Sequence, residues 1–129
     1  MRISHNSWLI TSPIAHRGLW GGDIQENTLS AYKNAAEKGL PIEIDVYLST
    51  DGEIFSFHDE KLTRMTGEEG LIYEKSSKEI KQLRLKGTDE YIPTFEEVLQ
   101  VCKGKSPILI EIKNQPNKRI VDKLVKRLK

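Results

Sequence analysis

Apolar residues recur along this chain with two periods, and the change from one to the other predicts alternating strands and helices. Residues 41–48 (PIEIDVYL) alternate strictly, as a strand with one buried face does. The apolar face carries four aliphatic residues: Ile42, Ile44, Val46 and Leu48. The other face carries Glu43, Asp45 and Tyr47, so two carboxylates point to the same side.

The same reading along the chain gives the other main elements. It predicts strands over 13–16 and 107–112, and helices over 28–38, 94–102 and 118–129. Because strands and helices alternate, we expect a parallel sheet of βαβ units. A strand covered by helices on both faces is apolar throughout, so the two carboxylates instead indicate a barrel interior or its mouth.

One region departs from this alternation. The pair Asp51-Gly52 predicts a hairpin, with residues 53–58 (EIFSFH) returning beside the preceding strand. Residues 59–92 are polar and irregular, and only 76–85 (SSKEIKQLRL) contain the signature of a short capped helix. We therefore expect one domain over residues 1–129, with residues 59–92 as a small insertion within it.

Composition and charge limit the classes of function. The chain has 129 residues, is 37% hydrophobic and carries a formal net charge of +1, so overall charge predicts neither nucleic acid nor an anionic membrane as partner. The single cysteine, Cys102, cannot form an intrachain disulfide and is interpreted as a core residue in a reducing compartment. Without an apolar run long enough for a signal peptide or a membrane span, we expect a cytoplasmic protein with no stable membrane insertion.

Four polar clusters lie at or just after the ends of predicted strands, where α/β barrels build their active sites. The first is His16-Arg17-Gly18, followed by Glu26-Asn27. Histidine exchanges protons near neutral pH, arginine presents a planar fork suited to phosphate, and glycine lets a substrate approach the backbone. The alternative is a surface loop with one histidine and one arginine.

The second cluster is the pair Glu43 and Asp45 on the polar face of the predicted strand. Two buried carboxylates without partners repel each other, and a divalent cation removes that cost. Oxygen ligands suit Mg²⁺ or Ca²⁺. The alternative is a strand with one hydrated polar face.

The other two clusters are His58-Asp59, at the end of the returning strand, and Glu111-x-Lys113, at the end of the strand ILIEIK. A second histidine would supply an acid–base pair, and Glu111 would complete a three-carboxylate site. The alternatives are a solvent-facing histidine and an ordinary surface ion pair. The remaining histidine, His5, has no such context. Together the clusters form an inventory for metal-assisted phosphoryl chemistry.

At these residues the sequence resembles the glycerophosphodiester phosphodiesterase family, over residues 8 to about 115. The motifs of that family occur here in order, with compatible spacing. They are IAHRG (14–18), ENTLSAY (26–32), IEIDVYLSTDG (42–52), FHDEKLTRMTG (57–67), YIPTFEEVL (91–99) and ILIEIK (108–113).

The resemblance implies a (β/α)₈ barrel, of which this chain holds the first three or so βα units plus the insertion. It implies hydrolysis of a glycerophosphodiester to glycerol 3-phosphate and an alcohol such as choline, ethanolamine or glycerol. By resemblance the site residues have three roles. The implied ligands of Ca²⁺ or Mg²⁺ are Glu43, Asp45 and Glu111. The implied acid and base are His16 and His58. The residues implied to surround the substrate are Arg17, Lys113, Glu26 and Asn27.

Two departures qualify the resemblance. Gln25 stands where the family usually has proline. A full barrel takes about 250 residues, so the chain is short and we expect the missing part to follow its C-terminus. Two alternatives stay open: a half-barrel that binds metal, phosphate or a second molecule through its exposed edge without catalysis, and a barrel similar to the phosphatidylinositol- or sphingomyelin-cleaving phospholipases.

Overall fold

The computed structural model describes residues 14–129, so His5 and the first residue of the predicted strand 13–16 lie outside it. The secondary structure follows the predicted order. The strands are β1 (Ala15–His16), β2 (Ile42–Leu48), β3 (Ile54–Ser56) and β4 (Ile108–Ile112). The helices are α1 (Leu29–Glu37), α2 (Thr63–Thr66), α3 (Ser77–Lys81), α4 (Phe95–Cys102) and α5 (Arg119–Leu128), with a 3₁₀ turn at Ile72–Glu74.

Strand β2 is the centre of a four-stranded sheet. It pairs in parallel with β1 and with β4, and antiparallel with β3. Ile42 pairs with Ala15 of β1 and with Ile108 of β4, so β1 and β4 lie on opposite edges of β2. Val46 pairs with Ser56 of β3 and with Ile112 of β4, so β3 lies on the same edge as β1. Within residues 14–129 no strand pairs with the outer edge of β4, so the sheet is open.

The two faces of β2 alternate as predicted, and each face packs into a different apolar cluster. The aliphatic face of β2 joins one apolar cluster, which helices α1, α4 and α5 cover. Tyr47 joins a second cluster on the other face. Cys102 is buried in the first cluster, and burial raises the pKa of its thiol to about 11, which confirms it as a core residue.

The helix starts have local causes. The side chain of Thr28 accepts a hydrogen bond from the Ala31 N–H and caps α1. Capping boxes open α3 and α4, in which a cap hydroxyl (Ser76 or Thr94) and a glutamate three residues on exchange hydrogen bonds with the backbone.

Residues 59–92 are more ordered than their polar composition predicted. They contain α2, the 3₁₀ turn and α3, of which only α3 was expected. Six of their apolar residues are buried around Tyr47, Phe55 and Phe57. These are Leu62, Met65, Ile72, Ile80, Leu85 and Ile92. The segment therefore builds a second small core against the polar face of β2, which sparse apolar residues without periodicity did not reveal.

Candidate active site

Three carboxylates from two strands converge on one side of the sheet. Glu43 and Asp45 are two residues apart on β2, and the register pairs Asp45 with Glu111 of β4. One carboxylate oxygen from each lies within 4.8 Å of those from the other two. The structure thus brings together the three residues that the sequence singled out as metal ligands.

Burial sets the electrostatics of this cluster. Asp45 is fully buried and the Glu43 side chain is only 13% exposed. Burial and the neighbouring Asp45 raise the pKa of Glu43 to about 8, and burial also raises the pKa of Asp45. The pKa of Glu111, which is more exposed, is lowered, first by the adjacent carboxyl group of Asp45 and also by Lys113.

The chemistry of the cluster fits a divalent cation. Oε1 of Glu43 and Oδ1 of Asp45 are buried and have no hydrogen-bond partner. Unpartnered buried carboxylate oxygens are costly, and a hard cation such as Mg²⁺ or Ca²⁺ takes oxygen ligands of this kind. The donors present therefore suit the metal that the resemblance implies.

The loop after β1 is shaped by two close approaches. Arg17 adopts a left-handed conformation with φ 62°, and its backbone N–H donates to the Glu43 carbonyl at 3.0 Å. Gly18, with φ 86°, lies so close to α1 that an added Cβ would stand 2.7 Å from the Cβ of Ala31. Glycine is therefore required there for packing as well as for its backbone conformation.

Asn27 connects the cluster to the buried interior. Its Nδ2 donates to Asp45 Oδ2 at 3.3 Å, and its Oδ1 accepts from the hydroxyl of Tyr32. The Tyr32 hydroxyl also lies in hydrogen-bond contact with Ser56. The sequence predicted Asn27 as a site residue, but the helical pattern over 28–38 gave no sign that the Tyr32 hydroxyl binds it.

Arg17 faces three predicted site residues. Its guanidinium donates to Glu26 Oε2 at 3.2 Å and to His58 Nε2 at 2.8 Å, and its Nε lies 3.9 Å from Asp45 Oδ2. The opposite nitrogen of His58, Nδ1, contacts Asp59 Oδ1 at 2.8 Å. The arginine thus links the HRG loop, the acidic cluster and the second histidine.

Arg64 of α2 was not predicted, although it lies in the motif FHDEKLTRMTG. It donates to both oxygens of Glu26 at 3.0 and 2.9 Å and to both oxygens of Asp59 at 2.7 and 3.0 Å. These bonds lower the pKa of Asp59 to about 2. Burial raises the pKa of Glu26, but the bonds from Arg64 and the charge of Arg17 outweigh it and lower that pKa overall.

His16 and Lys113 complete the predicted set. His16 Nε2 lies 3.0 Å from Glu43 Oε2, and the imidazole is 66% exposed toward solvent. Lys113 donates to Glu111 at 3.3 Å. Both side chains therefore border the carboxylate cluster.

One detail of the prediction was wrong: Glu43 and Asp45 do not end their strand. They lie near the start and the middle of β2, which continues to Leu48 because its last residues pair with β3. The neighbouring strands do end at this level, since His16 pairs with Glu43 and Glu111 with Asp45. The cluster therefore lies where the two flanking parallel strands stop.

Gln25, the departure from the expected proline, has a structural role. Its Nε2 donates to the Lys86 carbonyl at 2.6 Å. The bond ties the loop before Glu26 to the segment 59–92.

Comparisons with known proteins find the family that the sequence motifs resemble. Residues 16–129 match the Glycerophosphoryl diester phosphodiesterase family. A glycerophosphodiester phosphodiesterase of Caldanaerobacter subterraneus subsp. tengcongensis is 38% identical, over 92% of this chain and 53% of that protein. Human glycerophosphodiester phosphodiesterase 1 is 32% identical, over 83% of this chain and 35% of the human protein.

Solved structures give the same result for the fold. An Oleispira antarctica phosphodiesterase, in complex with the product sn-glycerol-3-phosphate, superposes with a TM-score of 0.71 at 38% identity, covering 80% of this chain and 45% of that one. A Thermotoga maritima glycerophosphodiester phosphodiesterase gives 0.75 at 35% identity, covering 90% and 48%. The chain spans about half the length of the relatives it matches, so the open sheet corresponds to about half of their barrel.

Proposed function

Because the chain belongs to the glycerophosphodiester phosphodiesterase family, we propose that it carries the metal- and phosphate-binding part of an enzyme that hydrolyses glycerophosphodiesters. The products would be glycerol 3-phosphate and an alcohol. The observation that carries this proposal is the convergence of Glu43, Asp45 and Glu111 within 4.8 Å beside the imidazole of His16.

In this proposal the three carboxylates hold Mg²⁺ or Ca²⁺. The cation supplies Lewis-acid stabilisation of negative charge on the phosphate oxygens. Arg17 and Lys113 bind the phosphate, because both are cations at the border of the cluster. Glu26 and Asn27 hold the surrounding groups in place through their bonds to Arg17 and Asp45.

His16 and His58 form the proposed acid–base pair. One imidazole takes a proton from the attacking oxygen, either water or the neighbouring glycerol hydroxyl, and the other gives a proton to the departing alkoxide. The described site contains no serine or cysteine placed to attack phosphorus, since Cys102 is buried in the core and Ser56 is bound to Tyr32.

The test is hydrolysis of glycerophosphocholine by this chain and by any longer form of the protein, with and without a chelator. We expect choline and glycerol 3-phosphate in equal amounts, and loss of turnover with the chelator. A longer form that binds no divalent metal and releases no choline would overturn the proposal. A substrate panel that includes phosphatidylinositol and sphingomyelin distinguishes this proposal from the phospholipase alternative, which predicts cleavage of those lipids.

One observation favours a second function for the chain alone. The outer edge of β4 has no partner among residues 14–129, and Ile112 on that strand is 41% exposed. An open edge can bind a second strand, so a metal- or phosphate-binding module that self-associates is the alternative. A monomeric chain by light scattering excludes self-association, and a dimer that binds Mg²⁺ without hydrolysis supports it.

Two further expectations belong to the same proposal. Among residues 14–129 no helix has the length and apolar character needed to cross a bilayer. We propose a cytoplasmic location, and cell fractionation tests it. The substrate class, a small glycerophosphodiester, is tested by the same substrate panel.

A further inference from the structure

Five side chains beside the carboxylate cluster form a closed ring of hydrogen bonds. Each member binds the next, and the last binds the first. In order they are Arg64, Asp59, His58, Arg17 and Glu26. Donor–acceptor distances around the ring run from 2.7 to 3.2 Å, all within the normal range.

The ring fixes the tautomer of His58. A guanidinium has only donors, so the contact of 2.8 Å between Arg17 and His58 Nε2 requires a lone pair on Nε2. A carboxylate has only acceptors, so the contact of 2.8 Å with Asp59 requires a proton on Nδ1. His58 is therefore held as the Nδ1–H form, with Nε2 as the basic nitrogen.

The ring as a whole carries no net charge. Two guanidinium groups and two carboxylates sum to zero around a neutral imidazole. The carboxylates are largely removed from water, since the side chains of Glu26 and Asp59 are 7% and 24% exposed. Their burial makes the arginines necessary, because an unpaired buried carboxylate is costly.

Arg64 is the member that closes the ring. Its fork makes four bonds, two to Glu26 and two to Asp59, residues that lie on different loops 33 positions apart. A lysine ammonium is a point charge and cannot reproduce two bidentate contacts. Arg64 makes none of the bonds that bear on phosphate or metal directly.

The geometry assigns Arg64, from the segment 59–92, as the positioning residue that locks His58 in the Nδ1–H tautomer with its basic Nε2 directed at Arg17. The assignment deepens the proposed function and rests on it for its catalytic meaning. A substrate phosphate that draws the Arg17 guanidinium away would leave His58 Nε2 free to take a proton, so binding and activation would be coupled in one movement.

The test is the tautomer of His58, read by long-range proton–nitrogen NMR correlation on the metal-free chain at about pH 8.5, above the ordinary histidine range. The His58 signals are assigned by their loss in His58→Gln. We expect a single Nδ1–H tautomer in the wild type and a mixture with the Nε2–H form in Arg64→Met. An Nε2–H wild type overturns the assignment without any variant.

Two further variants separate this role from general structure or charge. Arg64→Lys keeps the charge but not the fork, and we expect it to give the mixture too; a fully locked tautomer in either Arg64 variant overturns the assignment. Arg84, also in segment 59–92, pairs with Asp89 on the surface at 3.4 Å. Arg84→Met is the matched control and should leave the His58 tautomer unchanged.

Turnover distinguishes the failure of this assignment from failure of the proposed function. In any form that hydrolyses glycerophosphocholine, we expect Arg64→Met to lower kcat about 10²-fold while KM changes less, because the base is misplaced. Suppose that His58 has a single tautomer in the wild type and a mixture in Arg64→Met, but no form of the protein hydrolyses glycerophosphocholine. The enzyme proposal would then be wrong and the positioning role of Arg64 would stand. If the protein hydrolyses glycerophosphocholine but wild-type His58 is a mixture of tautomers, the enzyme proposal would stand and the positioning role would be wrong.

Discussion

The side chain of Gln115 completes the hydrogen bonding of β2 where the backbone of β4 has ended. Its Oε1 accepts the N–H of Leu48 at 2.7 Å. Its Nε2 donates to the carbonyls of Val46 at 3.2 Å and Lys113 at 2.6 Å. Because Gln115 is 4% exposed, these bonds are shielded from water and fix the loop that carries Lys113 beside the carboxylate cluster.

We predict that Gln115→Leu lowers the free energy of unfolding by about 1–3 kcal/mol, because a similar volume stays but the buried Leu48 N–H loses its acceptor. Urea denaturation followed by circular dichroism measures this. Gln100→Leu, at an exposed position of α4, is the control and should stay within about 0.5 kcal/mol of the wild type. Equal stabilities for the two variants would contradict the role of Gln115.

Short-range geometry explains why much of the site could be predicted. Residues two apart on a strand share a face, so Glu43-x-Asp45 alone placed two carboxylates together. Barrel enzymes build their sites from residues at the ends of several strands, so Glu111 at the end of ILIEIK was expected near them. Helix starts were equally local, because a capping hydroxyl and a glutamate three residues on act within one turn.

What the sequence could not reveal depends on contacts between distant residues. Arg64 meets Glu26 across 38 positions, and Gln115 meets Leu48 across 67. A surface arginine or glutamine has the same local pattern whether or not it finds a buried partner. The motif FHDEKLTRMTG contained Arg64, but nothing in its spacing distinguished this arginine from a solvated one.

The raised pKa of Glu43 predicts a pH-dependent stability of the metal-free chain. Between pH 4.5, the ordinary pKa of a glutamate, and about pH 8, the carboxyl group of Glu43 is protonated in the folded chain and ionised in the unfolded chain. The free energy of unfolding should therefore fall as pH rises through that window. Asp45, with its pKa also raised, acts in the same direction.

A divalent cation should reverse this loss. Protons and metal compete for the same oxygens, so Mg²⁺ or Ca²⁺ should raise the melting temperature more at about pH 8 than at about pH 5.5. Thermal melts at both pH values test this. In Glu43→Gln the cation effect and the pH dependence should both shrink, whereas Glu37→Gln, on the exposed side of α1, should keep both. A cation effect of equal size at the two pH values would contradict the competition.

The approach of Gly18 to α1 predicts a specific cost for a single methyl group. Gly18→Ala places a Cβ 2.7 Å from that of Ala31 in addition to the strain of a positive φ. Gly22 has a positive φ of 58° with nothing within 4 Å, so Gly22→Ala measures the strain alone. We expect Gly18→Ala to be less stable than Gly22→Ala by about 1–3 kcal/mol in urea denaturation. Equal losses would mean that α1 shifts without cost.

His16→Ala separates catalysis from metal binding. The imidazole is 66% exposed and its neighbour Glu43 keeps its own place on β2, so stability and cation affinity should change little. In a form of the protein that hydrolyses glycerophosphocholine, kcat should fall about 10²–10⁴-fold, the usual contribution of a general acid or base. Lys33→Ala, on the exposed face of α1, is the control for an ordinary truncation.

The measurement is kcat together with the Mg²⁺ concentration that gives half the maximal rate. Wild-type turnover in His16→Ala would remove His16 from the acid–base pair, and a large rise in that Mg²⁺ concentration would make it a metal ligand instead.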